Sequence, residues 1–327
     1  MVEQLKEMKN NVEIVGVLKT KDLEDGTSEK KLKDGTTVTQ NFIRGSLVVE
    51  FTDKQGNINN VRSQVWVGDT KNDGGLNKMY KSYKTIMDEY KDKDNFGEEA
   101  DTIQVTGDIQ SNDYISASGT QVSNNRIRTR FANRLENKNV EGHAWATIEA
   151  YVDSYVDEMN ADGEPTGRKA VTMYTVSYGG KVQQLQRVFV PEVLAEGFET
   201  TYQPGSTGEV TLSIKHFVSV EEVQDAEPVE SLGFGTVQEV AAADNYTDEL
   251  WLTGGKIPYD EPKALSVEQI ALLKKTRKEA LASLDDNVSN SQPQVGFGNA
   301  KPSGKPEESA KSDNPFKNSS ANDPIEF

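Results

Sequence analysis

Residues 42–51 read Phe-Ile-Arg-Gly-Ser-Leu-Val-Val-Glu-Phe, and residues 61–67 read Val-Arg-Ser-Gln-Val-Trp-Val. Between them lies Asp53-Lys-Gln-Gly-Asn57, a stretch with turn composition. Both flanking runs alternate apolar and polar residues and are rich in β-branched and aromatic side chains, so they predict two strands joined by a tight turn. Upstream, the alternation of Val12–Leu18 predicts another strand, separated from Phe42 by a charged, glycine-containing loop. Downstream the period changes. Leu76, Met79, Tyr80, Tyr83, Met87 and Tyr90 recur at steps of three and four, which predicts an amphipathic helix with one apolar face. The period returns to two in Ile103–Ile109 and again in Arg126–Asn133.

The resulting order, three strands, a helix and two strands, is that of an OB barrel, a small Greek-key barrel that binds oligonucleotides and oligosaccharides. The fold expected is therefore mainly β, with an OB-type barrel over residues 1–140. Residues 141–218 carry further β pattern in Ala144–Val156, Val171–Tyr178 and Val182–Val190. A short turn or helix at Pro191–Phe198 and the strand Glu209–Phe217 follow. This predicts a second, OB-like β-domain, although only one clear strand follows its helical piece where the OB order needs two.

Residues 219–262 hold one lysine, Lys256, against 11 acidic residues, and read as an acidic linker with scattered Phe234, Tyr246 and Trp251. Ser266-Val-Glu-Gln269 is a capping box, so a helix is expected over 263–287, with Ile270, Leu273, Ala280, Leu281 and Leu284 on its apolar face. Residues 288–327 collapse to Ser, Asn, Gly, Pro and Lys, the composition of a disordered tail.

The 327 residues carry a net charge of -17, which would ordinarily argue against a polyanionic ligand. The acids are unevenly spread, however. Residues 1–140 hold 21 Lys and Arg against 22 Asp and Glu, so that half can still present a basic face. The absence of cysteine excludes disulfides, thiolate metal sites and cysteine nucleophiles, and suits a cytoplasmic protein. The polar N-terminus does not resemble a signal peptide, and no apolar run approaches the ~18 residues needed to span a bilayer. The catalytic inventory is thin. His143 and His216 lie in β-like contexts, no phosphate-binding loop or zinc-protease motif occurs, and Gly233–Gly235 lacks a strand–turn–helix setting. No enzyme, cofactor or metal site is expected.

Strand parity sorts the first barrel's side chains. In 42–51 the core face is Ile43, Leu47, Val49 and Phe51, which turns Phe42, Arg44, Ser46, Val48 and Glu50 outward. In 61–67, Val61, Val65 and Val67 point in, and Arg62, Gln64 and Trp66 point out. In 126–133, Ile127, Thr129 and Phe131 point in, and Arg126, Arg128 and Arg130 point out. One strand of alternating charge is ordinarily a solvated face. Three strands that all turn arginine outward, two of them with an aromatic ring, suit a single strand of nucleic acid: bases stack on rings and guanidinium groups meet phosphates. The expected DNA-binding residues are Phe42, Arg44, Arg62, Trp66, Arg126, Arg128 and Arg130.

The end of the chain carries Asp313-Asn-Pro-Phe316 and, after a polar spacer, Asp323-Pro-Ile-Glu-Phe327. These elements resemble the tail of bacterial single-stranded DNA-binding proteins, and phage relatives that pair an OB core with an acidic tail ending in Phe. Ile43–Val49 and Val105–Ile109 are similar to that family's second and fourth strands. The resemblance implies that Phe316, Asp323, Pro324, Ile325, Glu326 and Phe327 form a docking tip for replication or repair proteins. The match is incomplete: the family's run of Asp before its final Pro-Phe is missing, and this chain is about twice as long as the bacterial core. Tetramerisation is therefore not carried over, and self-association stays open. Two other readings remain: a phage tail or baseplate component that uses OB-like modules for assembly, and a replication adaptor that does not touch DNA.

Overall fold

The computed structural model describes residues 5–220 and 244–290. Five strands and two short helices build the first barrel. They are β1 (Asn10–Lys31), β2 (Thr37–Thr52), β3 (Ile58–Gly68), α1 (Lys78–Glu89), α2 (Lys93–Phe96), β4 (Thr102–Ile115) and β5 (Gln121–Arg134). β1 pairs with both β2 and β4, and a short parallel contact between β3 and β5, Ser63 opposite Ile127, closes the ring. The cyclic order β1-β2-β3-β5-β4 with a helix after the third strand is the OB arrangement.

β1 differs from the expectation. The charged stretch after Leu18 is no loop: it continues the strand to Lys31, paired along its length with β2. Its half-buried positions mix Lys21, Leu23, Gly26, Ser28 and Lys30, so no apolar alternation shows there. Where β2 passes beneath it, Gly45 adopts a φ of 138°, and a Cβ there would lie 1.9 Å from the Asp22 carbonyl oxygen. Only glycine lets the two strands approach so closely.

The second barrel repeats the plan. It comprises β6 (His143–Met159), β7 (Pro165–Ser177), β8 (Lys181–Val190), α3 (Glu192–Thr201), β9 (Thr207–Val220) and β10 (Asp244–Gly255). The order is β6-β7-β8-β10-β9, closed by β6–β9 and by a parallel β8–β10 contact. The fifth strand missing from the sequence reading is β10, which lies inside the 219–262 segment read as an acidic linker. Residues 244–255 are therefore a barrel strand and not part of a linker. Leu250 and Leu252 face the core, while Asp248 is exposed and Glu249 is held by Arg168 and Arg187, and these acids dominate the composition.

β1 also pairs with β6, Val12 opposite Ala146, so ten strands form one continuous hydrogen-bonded sheet and one apolar core runs through both barrels. Side chains add to the junction. Lys215 Nζ meets Asp53 Oδ2 at 2.7 Å with both groups buried, and Asn125 and Ser111 exchange hydrogen bonds with the β8 backbone at Gln186 and Gln184.

In α1, Tyr83 and Ile86 are the buried residues, with Met79, Tyr80, Met87 and Tyr90 packed beside them. Leu76, placed on the apolar face by its spacing, precedes the helix and is 82% exposed. α4 (Val267–Asn290) begins at the capping box: Gln269 N donates to Ser266 Oγ at 3.2 Å, and Ser266 N donates to Gln269 Oε1 at 3.0 Å. Its docked face is Ile270, Leu273 and Arg277, and Ala280 is exposed. Arg277 is buried against the first barrel, where it donates to both Asp113 oxygens at 2.6 and 2.7 Å. Lys274 reaches Asp153 on β6 at 2.6 Å, so α4 straps both barrels.

The chain divides into two compact units, Met1–Val288 and Ser289–Phe327. Both barrels belong to the first. Phe234, the tail from 291 onward, and Phe316 and Asp323–Phe327 of the expected docking tip lie outside the described residues.

Candidate nucleic-acid interface

The outer faces of β2, β3 and β5 adjoin one another. Arg44 stands opposite Trp66, Ser46 opposite Gln64 and Val48 opposite Arg62, and the parallel contact sets Gln64 beside Arg128. Trp66 is 60% exposed. The second barrel does not cover it. Arg62 is also exposed, whereas Ser46 and Val48, expected on the same open face, are buried. Phe42 and Arg44 lie where β2 pairs with the outer half of β1. The Phe42 ring rests across Gly26, Arg44 sits 5.5 Å from the Phe42 ring centre, and Arg44 ion-pairs with Glu24.

On β5 the arginines are held from below. Arg128 donates to Asp108 Oδ1 through Nε at 3.1 Å and Nη2 at 3.0 Å. Arg130 reaches the same oxygen through Nε at 3.1 Å, and its Nη2 donates to the Asn10 carbonyl at 2.6 Å. Asp108 is only 3% exposed, so one buried carboxylate anchors two guanidinium groups and leaves a net positive charge above it. Arg126 makes a longer contact, 3.5 Å, with Gln110 Oε1.

A bulge corrects the parity assigned to Phe131. Gly107 pairs with Thr129 and Thr106 with Phe131, so Arg130 is an extra residue on β5. Beyond it the phase inverts: Phe131 turns outward, 54% exposed, and Ala132 takes the core position. Gly107 permits this, because a Cβ there would lie 2.1 Å from the Arg128 carbonyl oxygen. Such a bulge leaves no clear mark in an alternating sequence.

Trp66, Arg128, Arg130 and Phe131 line one groove of about 560 Å³, with Lys30 and Lys33 at its rim and Tyr83 at its floor. Burial pushes the Tyr83 phenol well above its usual range, against the opposing pull of the Arg128 charge, so it stays neutral and donates to the Thr129 carbonyl. Arg62 and Arg126 line a separate cavity of about 230 Å³ together with His216 and Asp248 of the second barrel. The seven expected residues thus fall into three neighbouring groups on one face, and Phe131, Lys30 and Lys33 join them. Among the described residues, no group of three or more His, Asp or Glu is placed to hold a metal ion, and no helix is long and apolar enough to cross a membrane.

A family model described as YorF matches residues 9–287. The chain belongs to the YorF family. The matched span of this YorF-family protein takes in both barrels and nearly all of α4. Among solved structures the chain is similar to the single-stranded DNA-binding protein from Thermus aquaticus. The wild-type structure is 13% identical, with a TM-score of 0.39 over 80% of this chain and 98% of that one. A deletion mutant of the same protein is 12% identical, with a TM-score of 0.40 over 79% and 100% of the two chains. No curated protein matches the chain.

Proposed function

We propose that this chain binds single-stranded DNA, with little sequence preference, across the outer face of the first barrel. The observation that carries this reading is Trp66: a large, open ring set among arginines from three adjacent strands. Exposed tryptophan costs solubility unless it has a ligand, and an unpaired base supplies a π-face of matching size. The paired anchorage of Arg128 and Arg130 on Asp108 fixes two guanidinium groups before any ligand arrives, which lowers the entropy lost on binding phosphate. Such a protein works in the cytoplasm, in DNA replication, recombination or repair, of a phage in its host or of a bacterium. Its C-terminal tip, Phe316 and Asp323–Phe327, recruits replication or repair proteins, a role that rests on the resemblance of those residues alone.

The test is tryptophan emission during titration with oligo-dT at several salt concentrations, with duplex DNA as the control. Quenching by oligo-dT and not by duplex, weakening as salt rises, is the expected result. No binding at low salt would overturn the proposal and favour an assembly module in a phage particle.

A further inference from the structure

A row of directly opposed residues crosses the junction between the barrels on their shared outer surface. Phe131 of β5 faces Thr106 of β4, which faces Glu13 of β1, which faces Trp145 of β6. Trp145 then faces Ser213 of β9, which faces Trp251 of β10. Directly opposed residues share a face, and each step is about 4.8 Å. The flanking residues Val12, Ile14, Ala144, Ala146, Leu212, Leu250 and Leu252 are all buried, so the row is the outer side of every strand it crosses.

The grooves follow the same line. Phe131 borders both the groove that holds Trp66 and a second groove of about 370 Å³, which it shares with Trp145. Trp145 in turn borders a third, of about 820 Å³, which contains Trp251. The three tryptophans of the chain all lie on this one track. Trp145 is 45% exposed and stacks on His143 through one face, with ring centres 3.8 Å apart. His143 is itself held by Glu13, Nε2 to Oε1 at 3.0 Å, so the stack is braced from the first barrel.

We propose that Phe131 and Trp145 carry the DNA strand out of the first barrel and over the junction, so that both barrels bind one continuous single strand, with the track ending at Trp251. This rests on the reading of the first barrel as a single-strand binder. The two parts of the track differ in chemistry. The first barrel offers arginines. Along the second, Lys215 is paired with Asp53, and Arg168 with Glu158 and Glu249, so few cations remain for phosphate. Stacking dominates there, and the second barrel's share of affinity is nearly independent of salt.

The experiment titrates the full chain and its Trp145→Ala variant, which leaves the first-barrel groove intact, with dT oligomers of about 8 and about 30 nucleotides, lengths set by ~4–16 nucleotides per OB fold. Unchanged affinity for the short oligomer, with roughly tenfold or greater loss for the long one at an unchanged salt slope, is expected. Equal affinity of variant and wild type for the long oligomer overturns the proposal. A wild-type chain that binds neither oligomer overturns the first-barrel reading as well. Should the variant not fold, Trp66→Phe gives the same decision: its remaining emission, from Trp145 and Trp251, is quenched by the long oligomer if the track is real and unchanged if it is not.

Discussion

Trp66 and Arg128 stand on neighbouring strands of one groove, and on the proposed reading they do different work. A ring that stacks on a base gives affinity that salt barely touches, so Trp66→Ala should weaken oligo-dT binding by about 1–3 kcal/mol at every salt concentration. A guanidinium that meets phosphate releases counterions, so Arg128→Ala should reduce the slope of log affinity against log salt by about 0.7. Filter binding or fluorescence over a salt series separates the two. Parallel curves for Arg128→Ala and wild type would remove Arg128 from the phosphate path. Because Arg128 and Arg130 share Asp108, Asp108→Asn should release both side chains and weaken binding although it removes a negative charge. Tighter binding by that variant would show that Asp108 only neutralises the face.

At the scale of elements, one buried ion pair ties α4 to the first barrel, beside the apolar contacts of Ile270 and Leu273. Arg277→Ala leaves the Asp113 carboxylate without its main partner, at a cost of about 3 kcal/mol. Burial would raise the Asp113 carboxyl, but the hydrogen bonds from Arg277 and Ser123 outweigh it and hold the group below its usual value. A depressed carboxylate stabilises the fold above its unfolded pKa, near 3.9, and loses that contribution as pH falls toward the folded value. Urea unfolding should therefore show a constant gap between wild type and Arg277→Ala above about pH 5, narrowing below about pH 4. A gap that persists in acid would place the effect in packing alone.

The same elements show what a sequence displays and what it hides. β2 and β3 were legible because Ile43, Leu47, Val49, Val61, Val65 and Val67 are fully inside and apolar, so alternation is loud. The outer half of β1 and all of β10 were not, since their inner faces are partly filled or their outer faces acidic. Trp145 was within reach, because Ala144 and Ala146 flank it and point inward, but alanine is a faint marker of a core. Phe131 was out of reach, because one extra residue reverses parity without altering composition. Arg277 was hidden for another reason: a buried charge at a helical position looks like a solvated one until its partner is known.

At the scale of the whole molecule, the barrels share a core and a ladder, so they should unfold together. Emission from Trp66→Phe, which reports only the second barrel, and the far-ultraviolet signal of the entire fold should trace one urea transition. Two separated transitions would mean that the junction couples the barrels weakly.

Residues Val12–Val15 of β1 are hydrogen-bonded on both sides, to β4 and to β6. Cutting the chain between the barrels, near residue 140, would leave each piece with a raw strand edge, Asn10–Val15 on one and His143–Ile148 on the other. Open edges of this kind seek any strand they can find, so each fragment made alone should precipitate or pair with its own copies. The two edges are also each other's template. Fragments co-refolded in one tube should zip into a soluble one-to-one complex, the intact chain reassembled with a nick.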